Sequence, residues 1–229
     1  MEDRQTLGGS IKTATMIDRA KQFVDELNDK FGKNLLKIEN QFNNEYGWPE
    51  LDPLRDEIAK CLICDLCQAA ITLTNHLLEN FLKTILVYQD SIQNNDKTKH
   101  LDLSTFRPSV DKFDGQVLAQ TLGEAKSKGL ITNEQWELLD KYRNDFRNAY
   151  SHAEKKKIFK DKTVGTNLIK IENDQLSLSD SVQTLLIDLP FNQGIAQVII
   201  SKEIAFDYFV SVDNIIRDVL NRFEKNTAI

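Results

Sequence analysis

The chain has 229 residues and a net charge of -6, from 29 Lys and Arg against 35 Asp and Glu, which excludes a surface uniformly attractive to nucleic acid. Three cysteines argue against a disulfide framework, and no stretch approaches the roughly 20 apolar residues of a membrane span. With a polar N-terminus lacking an apolar signal core, the chain reads as a soluble cytoplasmic protein able to bury a substantial core.

Residues 1–12 are polar and contain Gly8-Gly9-Ser10, so they read as a flexible lead-in. From residue 13 to 44, Ile17, Ala20, Phe23, Val24, Leu27, Phe31, Leu35, Ile38 and Phe42 recur at helical spacing. Tyr46-Gly47-Trp48-Pro49 ends that helix. A second long helix is predicted over residues 53–93, its inward face being Leu54, Ile58, Leu62, Leu66, Ala69, Leu73, Leu77, Phe81 and Ile85. Residues 94–115 are polar and turn-rich and read as a loop with at most a short helical turn. A third helix is expected over residues 116–128, stopped by Gly129.

Thr132 with Gln135 forms a capping box for a fourth helix, Asn133 being a competing cap. Trp136, Leu139, Tyr142, Phe146 and Ala149 give it an inward stripe. The period then changes: residues 167–179 read as a hairpin around Glu172-Asn173-Asp174. Pro190 to Gly194 separates it from a last helix over residues 195–225, with Val198, Ile204, Ala205, Tyr208, Val212, Ile215, Val219 and Phe223 inward. The fold class this predicts is mainly α. It is an antiparallel helical bundle over residues 13–229, with a long N-terminal helix and a small β-hairpin insertion at 163–190.

Chemistry concentrates near the end of the fourth helix. Residues 141–162 carry eight cations (Lys141, Arg143, Arg147, Lys155, Lys156, Lys157, Lys160, Lys162) against three anions. That window is +5, leaving -11 for the rest, so one local basic patch could hold a polyanion. Within it, Arg147 can clamp a phosphate bidentately and His152 can move protons near neutral pH, with Asn148 between them. On an ideal helix Arg147 and His152 lie about 140° apart, so a regular helix does not present them side by side. The bland alternative is a solvated helix end, where cations and a terminal histidine meet the last carbonyls.

The pattern R-N-x-x-x-H at residues 147–152, late in a helical chain, resembles the signature of the HEPN superfamily. Residues 69–82, including Asn75, His76 and Glu79, look like the long core helix before the motif helix in that superfamily. Thr121-Leu122-Gly123-Glu124 and Gly129-Leu130-Ile131 are similar to its connecting helix and turn. The resemblance covers roughly residues 55–155. It implies a HEPN-like bundle and a metal-independent endoribonuclease without cofactor, of toxin or phage-defence type. It also implies a homodimer that brings two motif helices into a composite site, with RNA as substrate and a cognate antitoxin or regulator as partner.

In that reading Arg147, Asn148 and His152 are catalytic, and Arg143, Lys155, Lys156 and Lys157 hold flanking phosphates. Asn75 or Glu79 supplies a supporting polar group, and Tyr150 either stacks on a base or packs against a neighbouring helix. The rival is a catalytically silent HEPN-like scaffold that binds RNA, a nucleotide or a protein. A third class is a helical oligomerisation protein using residues 13–44 as an arm. Cys61, Cys64 and Cys67 form C-x-x-C-x-x-C, but on a helix they read as small buried residues rather than metal ligands. His76 is expected at the edge of the core.

Overall fold

The computed structural model describes residues 3–94, 106–147, 150, 155–172, 175–189 and 193–227. It is mainly helical, with one two-stranded sheet among the described residues. The long N-terminal helix α1 spans Asp3–Asn43, starting ten residues before the predicted start at residue 13, and has one non-helical residue at Ile38. The turn after it is built by Asp52, whose carboxylate accepts the backbone N–H groups of Tyr46 (2.7 Å) and Trp48 (2.9 Å). Gly47 sits there at φ +77°, in the left-handed region that costs glycine little.

The second predicted helix is two helices: α2, Asp52–Ile63, and α3, Cys67–Asn94. The break is a complete Schellman motif. Leu66 N–H donates to Cys61 carbonyl (2.8 Å) and Asp65 N–H to Leu62 carbonyl (3.0 Å), with Asp65 at φ +63°. Asp65 is held there by Lys30 of α1 (3.2 Å) and Lys202 (2.6 Å). Burial works to raise the Asp65 pKa, but the two lysines outweigh it and hold the carboxyl below its ordinary value. The interruption shifts the phase of the stripe. Leu66 and Ala69 are exposed, while Ala70, Ile71, Leu77, Leu78 and Phe81 are buried. Cys61, Cys64 and Cys67 therefore straddle a helix break instead of lying on one helix, and His76 is exposed rather than at the core edge.

Within the region expected to be a loop, α4 spans Arg107–Phe113 and buries Phe113; residues 95–105 lie outside the described residues. α5, Leu118–Ser127, ends in a second Schellman motif, with Gly129 at φ +71° and Leu130 N–H on Ala125 carbonyl (2.9 Å). Gly129→Ala is expected to lower stability by about 1–2 kcal/mol, measured by urea unfolding, because alanine pays the left-handed steric cost. The Cβ itself would meet nothing within 4 Å.

α6 is Asn133–Tyr142, followed by a π-helical turn, Arg143–Arg147, and a short helix α7, Lys155–Phe159. Strands β1 (Thr163–Glu172) and β2 (Gln175–Leu185) pair antiparallel, Thr163 opposite Leu185, with an irregularity between Asn167 and Ile169. The hairpin thus reaches beyond the alternating core of residues 167–179. After a 3-10 turn, Leu186–Asp188, the last helix α8 spans Gln193–Thr227. The side chain of Val198 is exposed, so Ala196 and Ile200 provide the inward face at that end.

α3 is the central helix, packing against α2, α4, α5, α8 and the π turn. One core joins Ile58, Leu62, Ile71, Phe81, Leu122, Leu139, Phe209 and Val212, among others. A smaller cluster of Ile158, Phe159, Ala196 and Ile200 seats α7 on α8, and Tyr150 packs against both. No helix among the described residues is long and apolar enough to cross a membrane.

Candidate functional site

The start of α6 is fixed before the site begins. Thr132 Oγ1 accepts the Gln135 N–H (3.2 Å) while Gln135 Oε1 accepts the Thr132 N–H (3.0 Å), the reciprocal box expected at this position. Gln135 Nε2 also donates to Asp218 of α8 (2.8 Å), tying α6 to the last helix.

Ten residues on, the helix widens. Asn144 Nδ2 donates to the Asp140 carbonyl (3.0 Å), the acceptor that an α-helix would assign to the Asn144 backbone N–H. A side chain competing for that carbonyl favours departure from the α ladder, and π turns of this kind are frequent at functional sites. Asp140 is engaged a second time, accepting Arg143 Nε (2.9 Å) with Nη2 at 2.8 Å.

The inner side of the π turn is aromatic. Tyr142 and Phe146 stack at 5.4 Å between centroids, and both pack on Tyr208 of α8, at 4.9 and 4.6 Å. Tyr208 donates its hydroxyl to Asn75 Oδ1 (2.7 Å), and burial drives its pKa far above the ordinary tyrosine value. Asn75 is therefore a buried post under the turn, its Nδ2 lacking a hydrogen-bond partner among the described residues.

The outer side carries charge. Arg147 is half-buried, with Nη2 3.8 Å from Glu79 Oε2, and Glu79 Oε1 lies 3.6 Å from Lys83 Nζ. Glu79 thus stands between two cations on the helix that precedes the motif. Asp145 pairs with Lys160 (3.3 Å), which draws the end of α7 toward the π turn. Lys155 and Lys156 are exposed and Lys157 is half-buried. Tyr150 is half-buried and its hydroxyl has no hydrogen-bond partner among the described residues; burial, with Cys67 nearby, pushes its pKa up to about 12. Asn148 and His152 lie outside the described residues.

Of the expected site residues, Arg147 and Glu79 come together, Asn75 and Tyr150 pack inward, and Arg143 is occupied by its own Asp140. Asp140 escaped sequence reasoning, and Tyr208 was read as inward-facing but not as part of the site. Only the i, i+3 spacing of Asp140 and Arg143 signals the first, and nothing local signals the contact of the second with Asn75 and the π turn. Among the described residues, no group of three or more His, Cys, Asp or Glu side chains gathers where it could hold a metal ion. No family model, curated protein or solved structure matches the chain.

The chemical capacity of the arrangement follows from its parts. A half-buried guanidinium has its carboxylate at ion-pair rather than tight hydrogen-bond distance, and exposed lysines stand one short segment away. The planar guanidinium of Arg147 is of the type that makes a charge-assisted, bidentate contact with a phosphate.

Proposed function

We propose that the chain is a HEPN-type, metal-independent endoribonuclease with a HEPN-like bundle, in which two protomers bring their motif segments into one composite site. The observation that carries this reading is Arg147, presented by a π turn at the head of the basic segment and opposed by Glu79. His152 takes the proton of a ribose 2'-hydroxyl, whose oxygen attacks the adjacent phosphorus, and a proton is returned to the departing 5'-oxygen. The phosphorus–5'-oxygen bond breaks, leaving a 2',3'-cyclic phosphate and a 5'-hydroxyl. Arg147 holds the phosphate and offsets the charge that develops on it. Asn148 orients the phosphate or His152, and a toxin or phage-defence role would bring an antitoxin or regulator as partner.

A second reading is favoured by one specific observation. Arg143 and Arg147 both face carboxylates of their own chain, as in a silent scaffold that binds RNA, a nucleotide or a protein. The deciding experiment is incubation of end-labelled tRNA, mRNA and ribosomal RNA with the protein in EDTA. Products with cyclic-phosphate ends support the enzyme. Absence of cleavage with salt-sensitive binding supports the scaffold.

The lysines give an independent test. Replacing Lys155, Lys156 and Lys157 together by alanine should flatten the plot of log affinity against log salt by about 2, each single-strand phosphate contact contributing about 0.7. An unchanged slope in filter binding would remove these residues from the interface.

A further inference from the structure

The side of α3 that carries Glu79 continues into a second set of side chains. Glu79 Oε1 lies 3.6 Å from Lys83 Nζ, and Lys83 donates to the Asp114 carbonyl (2.7 Å) just past α4. Lys83 also lines a cavity of about 350 Å³ between α3, α4 and the turn before α2, with Glu50, Thr84, Tyr88, Phe106 and Asp114 around it. A cavity of that size admits a small ligand. At 1.5 Å per residue, Lys83 stands about 6 Å and Tyr88 about 13 Å beyond Glu79 along the helix. The cavity therefore opens one turn beyond the Arg147–Glu79 pair.

Its walls suit a flat neutral ring. Phe106 packs edge-on to Tyr88 (5.2 Å between centroids), and Val87 and Val110 add apolar surface. The polar edge is rich in acceptors. Glu50 and Asp114 bring carboxylates, and Asn80 uses its Nδ2 on the Glu50 carbonyl (3.1 Å), which leaves its Oδ1 to accept. Tyr88 donates its hydroxyl to Glu50 Oε1 (2.7 Å), which holds that carboxylate at the rim. Burial and this bond push the Tyr88 pKa up to about 12, so the hydroxyl stays a donor. Lys83 would repel a cationic guest, and the carboxylates an anionic one. Among the four bases, guanine alone sets N1–H and N2–H side by side, where one carboxylate accepts both. Uracil places its single N–H between two carbonyl oxygens.

We propose that this cavity is a guanine subsite for single-stranded RNA, reading the base of a nucleotide next to the one whose phosphate sits on Arg147. Unstacked bases of single strands are recognised in this manner, against an aromatic ring and by hydrogen bonds on the Watson–Crick edge. Glu50 accepts N1–H and N2–H, Phe106 gives the base its apolar wall, and Lys83 takes the neighbouring phosphate. The RNA context rests on the ribonuclease reading, whereas the preference for guanine is a property of the cavity alone.

The test is calorimetric titration of the full chain with guanosine 3',5'-bisphosphate and uridine 3',5'-bisphosphate, which carry phosphate on both sides of the sugar and hold no diester to cleave. The guanosine compound should bind at least about tenfold more tightly, within the range of one bidentate base contact. Glu50→Gln, at an exposed position, should remove that preference with circular dichroism and thermal midpoint kept. Phe106→Ala should weaken both compounds about fivefold or more, the loss of one aromatic contact to a base. Equal affinity for the two compounds, binding of neither, a preference that survives Glu50→Gln, or unchanged affinities in Phe106→Ala overturns the proposal. Cleavage is scored separately, on an RNA of random sequence. Cuts beside guanine are expected, and cuts spread over all four bases overturn the subsite while the ribonuclease reading stands. Preference for the guanosine compound with no RNA cut overturns the ribonuclease reading and still supports guanine in this cavity.

Discussion

His152→Ala is expected to slow RNA cleavage by about 10²–10⁴-fold, the contribution of a positioned proton-transfer group. Arg147→Ala should cost about 10²–10³-fold, the loss of one preorganised contact to the developing charge. Arg147→Lys should not restore it, since a point charge lacks the planar fork that grips two phosphate oxygens. All three variants are read by initial rates on one end-labelled RNA in EDTA, with circular dichroism confirming the fold. A 2'-deoxy substitution at the scissile nucleotide should abolish cleavage by the wild type, because the attacking oxygen is gone.

Glu79→Gln separates binding from turnover. It removes the carboxylate that competes with phosphate for Arg147, so RNA should bind more tightly at low salt. Turnover should fall, because the same carboxylate holds the guanidinium in place before substrate arrives. Equal activity in wild type and His152→Ala would end the ribonuclease reading, whatever the binding data show.

How much of this was legible is best seen in two helix ends with the same hydrogen-bond pattern. At Gly129 the residue type announces the left-handed turn, and the stop of α5 is read to within one residue. At Asp65 the same Schellman geometry is adopted by an aspartate, held by Lys30 and Lys202 from helices distant in sequence. Nothing local marks it, so one continuous stripe was drawn through a break that turns Leu66 and Ala69 outward.

The site divides similarly. The Thr132–Gln135 box is local and was readable, whereas Asn75 and Glu79 stood as alternatives and nothing in the sequence pairs Glu79 with Arg147. The π turn depends on Asn144 competing for one carbonyl, and Asn75 is claimed by Tyr208 across 133 positions, a contact no periodicity reports.

The largest stability effect is expected at Asp213, which is fully buried in α8. It accepts the Tyr46 hydroxyl (2.7 Å) and Arg217 Nε (2.7 Å), and Arg217 also donates to the carbonyls of Asn44 and Glu45. The Tyr46 ring lies between the guanidinium groups of Arg55 (5.5 Å) and Arg217 (4.9 Å), and Arg55 donates in turn to the Gln41 carbonyl. This network fastens the turn between α1 and α2 to the last helix. Burial, then the charge and hydrogen bond of Asp213, push the Tyr46 pKa far above the ordinary tyrosine value.

Asp213→Ala leaves the Tyr46 hydroxyl without its acceptor and Arg217 with only the Asn44 and Glu45 carbonyls, and breaking a buried pair from one side costs about 3–5 kcal/mol. Arg217 is 22% exposed and can turn partly to water, which places the expected loss near the lower end. Tyr46→Phe removes one hydrogen bond and should cost about 1–3 kcal/mol. In urea the Asp213→Ala midpoint should fall with an unchanged slope, and an Asp213→Ala/Arg217→Ala cycle should show coupling of about 2 kcal/mol. Hydrogen exchange locates the damage. Protection should drop over residues 38–52, while the π turn, seated on Tyr208 and capped through Gln135, keeps its own. Loss of protection spread evenly over both would mean that Asp213 supports the whole bundle rather than the α1–α2 corner.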